Sequence, residues 1–320
     1  MPVAVLASIA LIPIGVALVL MVGLRWPATK AMPLAWLAAA VSGALFWKMP
    51  LGFLLAATLA GFGGAINILI IVFGAIVILY TLRDSGAMET INHGFHGISK
   101  DRRVQAIIIG FMFGAFLEGA AGFGTPAAIA APLLLSLGFP PLAAAIVCLV
   151  YNSVPVSFGA AGTPVRFGLA LLEPQIDAAL QASSALGFAD MAGFYQLIAR
   201  WASVLHALPA FVLPLFVVCF LTRYFGRNRS WSEGLGVWKF SLFASVSFLV
   251  PYLATAFLIG EEFPSLIGGL VGLAIIVSGA KQGWFMPEQT WDFGPQSGWD
   301  KEWTGQIATE EAREFKPTMS

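Results

Sequence analysis

The sequence has little charge. Only 11% of its 320 residues are charged and 58% are hydrophobic, whereas roughly 25% of the residues in ordinary globular domains are charged. No charged residue occurs in 1–24, 49–82 or 119–165. The first two runs are each long enough for a membrane helix of roughly 20 residues, and the third for about two. This distribution excludes a soluble enzyme, a nucleic-acid-binding protein and a secreted disulfide scaffold.

Cysteine and histidine are also scarce, with two and three residues. Cys148 and Cys219 lie far apart in apolar surroundings, so we expect two buried hydrophobic side chains rather than a disulfide or a metal cluster. His93 and His96 lie three residues apart in a glycine-rich loop, without the further ligands that a metal site needs. His206, near the end of an apolar run, is expected at the membrane interface. The sequence therefore predicts no metal and no cofactor.

The uncharged runs predict an all-α, polytopic integral membrane protein with about seven crossings. The clearest spans are 3–24, 31–47, 65–82, 204–222, 240–259 and 263–280. Residues 51–60 precede Gly61, Gly63 and Gly64, and we expect them to form a short re-entrant or interfacial piece. The apolar interval 104–172 is repeatedly interrupted by glycine and proline, which favours discontinuous helices. The N-terminal run lacks a basic region and is too long for a signal peptide, so it is predicted to be a retained helix.

Basic residues set the predicted orientation. Lysine and arginine concentrate in 25–30, 82–103 and 223–239 and at Lys281, and such loops favour the cytoplasm. The N-terminus is then outside, and residues 104–205 cross the membrane an odd number of times.

The predicted domains are a transmembrane part, 1–283, and a polar cytoplasmic tail, 284–320. The tail contains seven acidic residues, three basic residues and four tryptophans. It is either a linker or disordered tail, or a segment that lies on the membrane surface through its tryptophans.

Two stretches of the interrupted interval, 111–132 and 151–168, share the patterns Gly-Ala-Ala-Gly and Gly-Thr-Pro. Proline biases the preceding residue toward an extended conformation and is favoured at the first helical position. A threonine hydroxyl can accept a hydrogen bond from a free backbone N–H as an N-cap. Thr125 and Thr163 are therefore predicted to begin half-helices after glycine-rich breaks.

A helix start inside a membrane has a specific consequence. Its unpaired N–H groups and partial positive charge cannot be satisfied by lipid, and discontinuous helices of secondary transporters bind anions with them. The other interpretation is that the glycines only allow close helix packing, which suits Gly110 and Gly114.

Polar residues beside the breaks are the candidate site. Glu118 is either a proton-coupling group, because a low dielectric disfavours the ionised carboxylate, or a structural carboxylate bonded to the glycine-rich backbone. Arg166 either binds a substrate carboxylate, neutralises Glu118, or extends to the interface. Asn152, Ser153 and Ser157 either contact a hydroxyl or an ion, or satisfy their own broken backbone.

The candidate substrate-binding residues are Gly122, Gly124, Thr125, Asn152, Ser153, Gly162, Thr163 and Arg166. No nucleophile–base pair, P-loop or dinucleotide fingerprint occurs in the sequence, so no enzymatic activity is predicted.

The residues around the first break, Leu-Glu-Gly-Ala-Ala-Gly-Phe-Gly over 117–124, resemble the lactate permease family, which includes glycolate permeases. The similarity is strongest over 110–132, continues through 137–165 and covers most of 31–283. It implies a bacterial inner-membrane symporter that takes up lactate and similar 2-hydroxymonocarboxylates with protons. It also implies a fold of two related halves, of which this chain resembles the N-terminal half and ends in the family's central hydrophilic linker.

The expected partners are a small carboxylate, protons and membrane lipid, with no nucleic acid. Because the family's second half is absent, the resemblance implies a truncated frame, a fragment or one partner of a split transporter. The further candidate partners are the missing second half or a second copy of the chain. The strong charge bias of the loops argues against the dual orientation that an inverted pair would need.

We predict that the breaks at 118–125 and 157–163 line a shared cavity near mid-depth. In this arrangement 104–138 makes one discontinuous crossing, and 140–172 enters from outside and returns.

The substrate carboxylate is predicted to face the N–H groups after Thr125 and Thr163, and its 2-hydroxyl to meet Asn152 or Ser153. Glu118 carries the coupled proton. The alternatives are a carrier for another organic or inorganic anion, with or without sodium coupling, or a membrane subunit or fragment that does not transport.

Overall fold

Long uncharged runs fold as helices throughout the part of the chain that the structure describes. This structure is a computed structural model and describes residues 2–87, 90, 94–95, 97–122, 124–182 and 187–304. No β-strand occurs among those residues. The chain divides into two units, 1–73 and 74–320.

The first unit contains three apolar helices, of which the third continues into the second unit. They are α1 (Val3–Gly23), α2 (Ala28–Phe46) and α3 (Leu51–Asp84). Most large apolar side chains of this unit are exposed, a surface that suits contact with lipid. The helix α3 runs without interruption past Gly61, Gly63 and Gly64, so the expected short re-entrant piece at 51–60 is wrong. Glycine inside a helix costs only about 1 kcal/mol, and no proline follows before residue 84 to end the helix.

The second unit contains the interrupted interval and the last spans. Its helices are α4 (Arg102–Ala121), α5 (Thr125–Ser136), α6 (Pro141–Tyr151), α7 (Gly159–Leu169), α8 (Glu173–Ala182), α9 (Met191–Phe225), α10 (Trp231–Leu235), α11 (Trp238–Leu258), α12 (Pro264–Lys281) and α13 (Lys301–Thr304).

Six helices in the described part are long and apolar enough to cross a membrane: α1, α2, α4, α9, α11 and α12. The helix α6 and the segment 156–169 are bent by 67° and add a seventh if they form one broken span. The all-α, polytopic fold is confirmed, and the chain is a multi-pass membrane protein. The bent pair is either a broken span or a re-entrant loop, so the predicted path of 104–172 stays a prediction.

The helix α4 lies in the core of the second unit. Its middle section, Ala106–Phe113, is π-helical and entirely buried. A Cβ at Gly110 would lie 2.6 Å from Val147 Cγ1, so this glycine packs closely against α6, as predicted. Near the other end of α4, Gly119 lies against the backbone of Leu266 in α12. These contacts fix the position of the residues that follow α4.

Residues 284–304 pack onto the helical core of the second unit. Trp291, Phe293 and Trp303 are buried, whereas Trp284 is about half exposed. Trp291 and Trp303 therefore lie within the protein, not on the membrane surface as the tail's tryptophans suggested. Residues 305–320 lie outside the described residues.

A buried ion pair ties this tail segment to the start of α4. The Arg103 guanidinium donates to the Asp101 carboxylate at 2.6 and 3.0 Å and to the carbonyl of Gln289 at 2.8 Å. It also donates to the carbonyl of Glu233. The Trp291 amide completes the cluster by donating to Asp101 at 3.0 Å.

The two cysteines are as predicted, since Cys148 and Cys219 are free and buried. His93 and His96, for which no metal site was predicted, lie outside the described residues.

Candidate functional site

The first break separates α4 from α5. Gly122 (φ 64°, ψ −160°) and Gly124 (φ 79°, ψ 17°) take backbone conformations that residues with a side chain seldom adopt. The Gly122 N–H donates to the Glu118 carbonyl at 2.8 Å, and the Thr125 N–H donates to the Gly122 carbonyl at 3.0 Å. The half-helix begins at Thr125, as predicted.

The second break lies between α6 and the regular part of α7. After a short 3₁₀ turn, Val156–Phe158, three consecutive residues are left-handed: Ala160, Ala161 and Gly162. Regular helix resumes at Thr163, as predicted. A left-handed conformation costs an alanine about 1–2 kcal/mol, and such strain is concentrated at functional sites.

The two breaks touch each other. A Cβ at Gly122 would lie 2.7 Å from Ala160 Cβ and 2.8 Å from Ala160 N, so the backbones meet where only glycine fits. The predicted proximity of the two segments is therefore found in the fold. That they line a cavity near mid-depth stays a prediction.

Glu118 lies between the breaks and is 2% exposed. Its Oε2 accepts a hydrogen bond from the Gly124 N–H at 3.3 Å. A Cβ at Gly159 would lie 2.7 Å from Oε1, and the Asn152 side chain lies beside the carboxylate. One buried carboxylate thus contacts both breaks.

This carboxylate lies at the start of α5, the place predicted for a substrate carboxylate. A negative charge is favourable there because the helix start carries a partial positive charge. In this conformation, the Glu118 carboxyl group occupies that helix start. The hydrogen bond to glycine-rich backbone is observed, while the proton-coupling role stays a prediction.

The expected threonine caps are not formed. The Thr125 hydroxyl donates to the Leu117 carbonyl at 3.3 Å, and the Thr163 hydroxyl donates to the Ala160 carbonyl at 2.5 Å. Neither helix has a side-chain N-cap bond. The left-handed turn brings each threonine next to a carbonyl that precedes it, and a carbonyl can only accept. The prediction that the hydroxyls accept from free N–H groups is therefore wrong.

Three polar residues between α6 and α7 differ in their surroundings. The Asn152 Oδ1 is buried and has no hydrogen-bond partner among the described residues. The exposed Ser153 donates to the Val150 carbonyl at 2.7 Å, so its hydroxyl satisfies its own helix. The Ser157 Oγ lies 3.4 Å from Nε2 of His206. Asn152 is therefore placed beside Glu118, and Ser153 is not.

Arg166 forms ion pairs with the loop between α11 and α12. Its Nε lies 2.7 Å from Oε1 of Glu261, and its Nη2 lies 2.5 Å from Oε1 of Glu262. A Cβ at Gly162 would lie 2.6 Å from the Glu261 carbonyl oxygen. The second break is thus anchored to this loop, and Arg166 does not neutralise Glu118 in this structure.

Sequence reasoning missed three residues at this site. Gly159 is the first residue of the second Gly-Ala-Ala-Gly pattern, but no feature of the sequence indicates that it contacts Glu118. Glu261 lies in a loop whose partner is unknown until the fold is known. His206 lies within α9 rather than near its end, and it bonds to Ser157 and Tyr252; its expected position at the membrane interface stays a prediction.

The chain is similar in sequence to proteins that are named as permeases. Residues 6–317 match the family described as L-lactate permease. The L-lactate permease of Bacillus subtilis is 34% identical over 283 residues, which is 88% of this chain and 41% of that protein. The L-lactate permease of Escherichia coli K12 is 33% identical over 251 residues, 78% of this chain and 40% of that protein.

The glycolate permease of the same strain is 33% identical over 268 residues, 83% of this chain and 43% of that protein. The chain spans about two fifths of the length of these curated relatives. No solved structure matches the chain. Because the family match extends over nearly all of its residues, the chain belongs to the L-lactate permease family.

Proposed function

We propose that this chain forms part of a secondary transporter that takes up lactate, or a similar 2-hydroxymonocarboxylate, together with protons. The observation that carries the proposal is the contact of two left-handed, glycine-rich breaks around one buried carboxylate, Glu118. Relatives with similar sequences are named for L-lactate and glycolate. Both substrates are monocarboxylates with a hydroxyl on the neighbouring carbon.

The arrangement suggests how proton and substrate binding are coupled. As long as Glu118 is ionised, it supplies the negative charge at the start of α5. Protonation removes that charge, and a substrate carboxylate then supplies it to the Gly124 amide and the following turn. Proton and anion thus bind together, and the positive end of the helix keeps a counter-charge in both states.

The other wall of the site comes from the second break. The unsatisfied Asn152 Oδ1 accepts a hydrogen bond from the 2-hydroxyl of the substrate, while Gly122, Gly162 and Thr163 shape the backbone around it. Arg166 holds the second break against the 261–262 loop in this conformation and exchanges partners when the site opens. Alternating access follows as one group of helices rocks against another.

In the proposed orientation, the N-terminus lies outside the bacterial inner membrane and the tail faces the cytoplasm. The longer relatives suggest that a second half, or a second copy, supplies the rest of the cavity.

The test is uptake of radiolabelled L-lactate into proteoliposomes that contain the transporter of which this chain forms part. An inward proton gradient is expected to drive accumulation, and a protonophore to abolish it. Glu118→Gln is expected to lose gradient-driven accumulation but to keep lactate–lactate exchange. In exchange, the binding site crosses the membrane with lactate bound in both directions. Glu173→Gln, on the exposed helix α8, is the matched control and is expected to behave as the wild type.

Absence of both uptake and exchange in the wild type would contradict the transport proposal. Accumulation that needs sodium instead of a proton gradient would contradict proton coupling alone. Glycolate that competes better than lactate would place the substrate preference nearer the glycolate permease relative.

A further inference from the structure

His206 is a titratable side chain that the proposed coupling through Glu118 does not use. It is half-buried within α9, and both ring nitrogens face polar groups. Nε2 lies 3.4 Å from the Ser157 hydroxyl, and Nδ1 lies 3.2 Å from the Tyr252 hydroxyl. The Val154 carbonyl is a further acceptor at the ring. A histidine that only fills space among helices does not need this set of partners.

The ring is also held in place by packing. Phe158 lies edge-on to His206 with ring centroids 6.5 Å apart, and edge-on to Tyr252 at 5.6 Å. Tyr252 is fully buried in α11. His206 therefore has a fixed position relative to the 3₁₀ turn of the second break.

The two titratable groups contact the same short segment. Glu118 lies against Gly159, and His206 bonds to Ser157, two residues earlier. Two charged side chains of the surrounding elements have other partners. Arg200, on the same helix, donates to the Phe257 carbonyl at 3.2 Å, and Arg166 pairs with the loop after α11.

We infer that His206 is a positioning residue that makes substrate binding depend on pH through Ser157, an inference that rests on the proposed function. A neutral ring that donates from Nδ1 to Tyr252 accepts a hydrogen bond from the Ser157 hydroxyl at Nε2. An imidazolium instead donates at both nitrogens, so Ser157 becomes the acceptor. Its own hydrogen is then free to bond to an anion at the break. When His206 is neutral, the Ser157 hydroxyl donates its hydrogen bond to the ring. When His206 is protonated, the same hydroxyl is free to donate to the anion.

The first experiment measures binding of radiolabelled L-lactate to the transporter of which this chain forms part, between about pH 5 and 8, the range in which histidine ordinarily titrates. The wild-type Kd is expected to decrease as the pH falls. His206→Gln is expected to flatten this dependence, and Ser157→Ala to weaken binding and flatten it as well. Glu118→Gln, which keeps His206 and Ser157, is expected to retain the part of the dependence due to His206. Leu208→Ala, an exposed position on the same helix, is the control.

Wild-type pH dependence in His206→Gln, or wild-type affinity in Ser157→Ala, would overturn the inference. A structural role alone would weaken binding in His206→Gln by the same factor at every pH.

The second experiment needs no substrate and separates this inference from the proposed function. The chain has three histidines, so NMR of histidine-labelled protein in nanodiscs can assign His206 by its loss in His206→Gln. We expect the His206 signal to titrate within this pH range and its titration to be displaced in Ser157→Ala. An unchanged titration, or none, would overturn the inference. Failure of lactate to bind at any pH would instead count against the proposed function.

Discussion

The Oε1 atom of Glu118 lies against the α-carbon of Gly159, and a methyl group added at Gly159 would lie 2.7 Å from it. This contact joins the end of one discontinuous helix to the second break.

Gly159→Ala is expected to displace the Glu118 carboxylate and to reduce lactate uptake at least tenfold. The added methyl leaves no room for the carboxylate, and overpacking of this kind costs about 1–3 kcal/mol. Gly168→Ala is the matched control, because no described atom lies within 4 Å of a Cβ built there. Equal uptake by the two variants, measured at equal protein amounts in the membrane, would show that the contact is unimportant.

Arg166→Gln is expected to lower thermal stability more than Glu262→Gln. Loss of the guanidinium leaves the buried carboxylate of Glu261 without its ion-pair partner, which costs about 1–3 kcal/mol. Glu262 is more exposed, and an exposed pair contributes at most about 1 kcal/mol. The measurement is thermal unfolding in detergent. The reverse order would argue that Glu262 is the more important partner.

Ala161→Gly is expected to stabilise the protein by about 1 kcal/mol, because Ala161 is left-handed (φ 52°) and glycine adopts that conformation without strain. Ala178→Gly, at an exposed position inside α8, is expected to have the opposite sign, since glycine inside a helix costs about 1 kcal/mol. Thermal unfolding of both variants checks the pair. Destabilisation by both would mean that the break is not strained.

Trp291→Ala is expected to loosen residues 284–304 without unfolding the membrane helices. The Trp291 ring is buried, and its indole N–H donates to the Glu233 carboxylate at 2.7 Å. Hydrogen exchange in 284–304 should rise strongly, whereas Trp284→Ala, at a half-exposed position, should leave it unchanged. Equal protection in the two variants would show that Trp291 does not hold the segment.

Local features of this site were predictable from the sequence. Gly-Thr-Pro fixes where a half-helix begins, because proline restricts the residue before it and suits the first helical turn. The starts at Thr125 and Thr163 are therefore found where they were predicted. The direction of the threonine hydrogen bonds was not predictable, since it depends on left-handed residues that bring particular carbonyls near.

Contacts between distant segments were beyond sequence reasoning. The position of Gly159 against Glu118, and that of His206 against Ser157, is set by the packing of α4, α9 and α11. The tail shows the same limit in another way, because tryptophan in a polar segment suits either a membrane surface or a protein core. Only the buried partners of Trp291 decide between the two.

The pair of Asp101 and Arg103 has a mechanical consequence. It connects the first turn of α4 by hydrogen bonds to the backbone of Gln289 and Trp291, so we expect the segment after the last span and the helix that leads to Glu118 to move together. A displacement of α4 during the transport cycle would therefore be transmitted to residues 284–304. A fluorophore on that segment would then report the motion of a helix that is itself too buried to label.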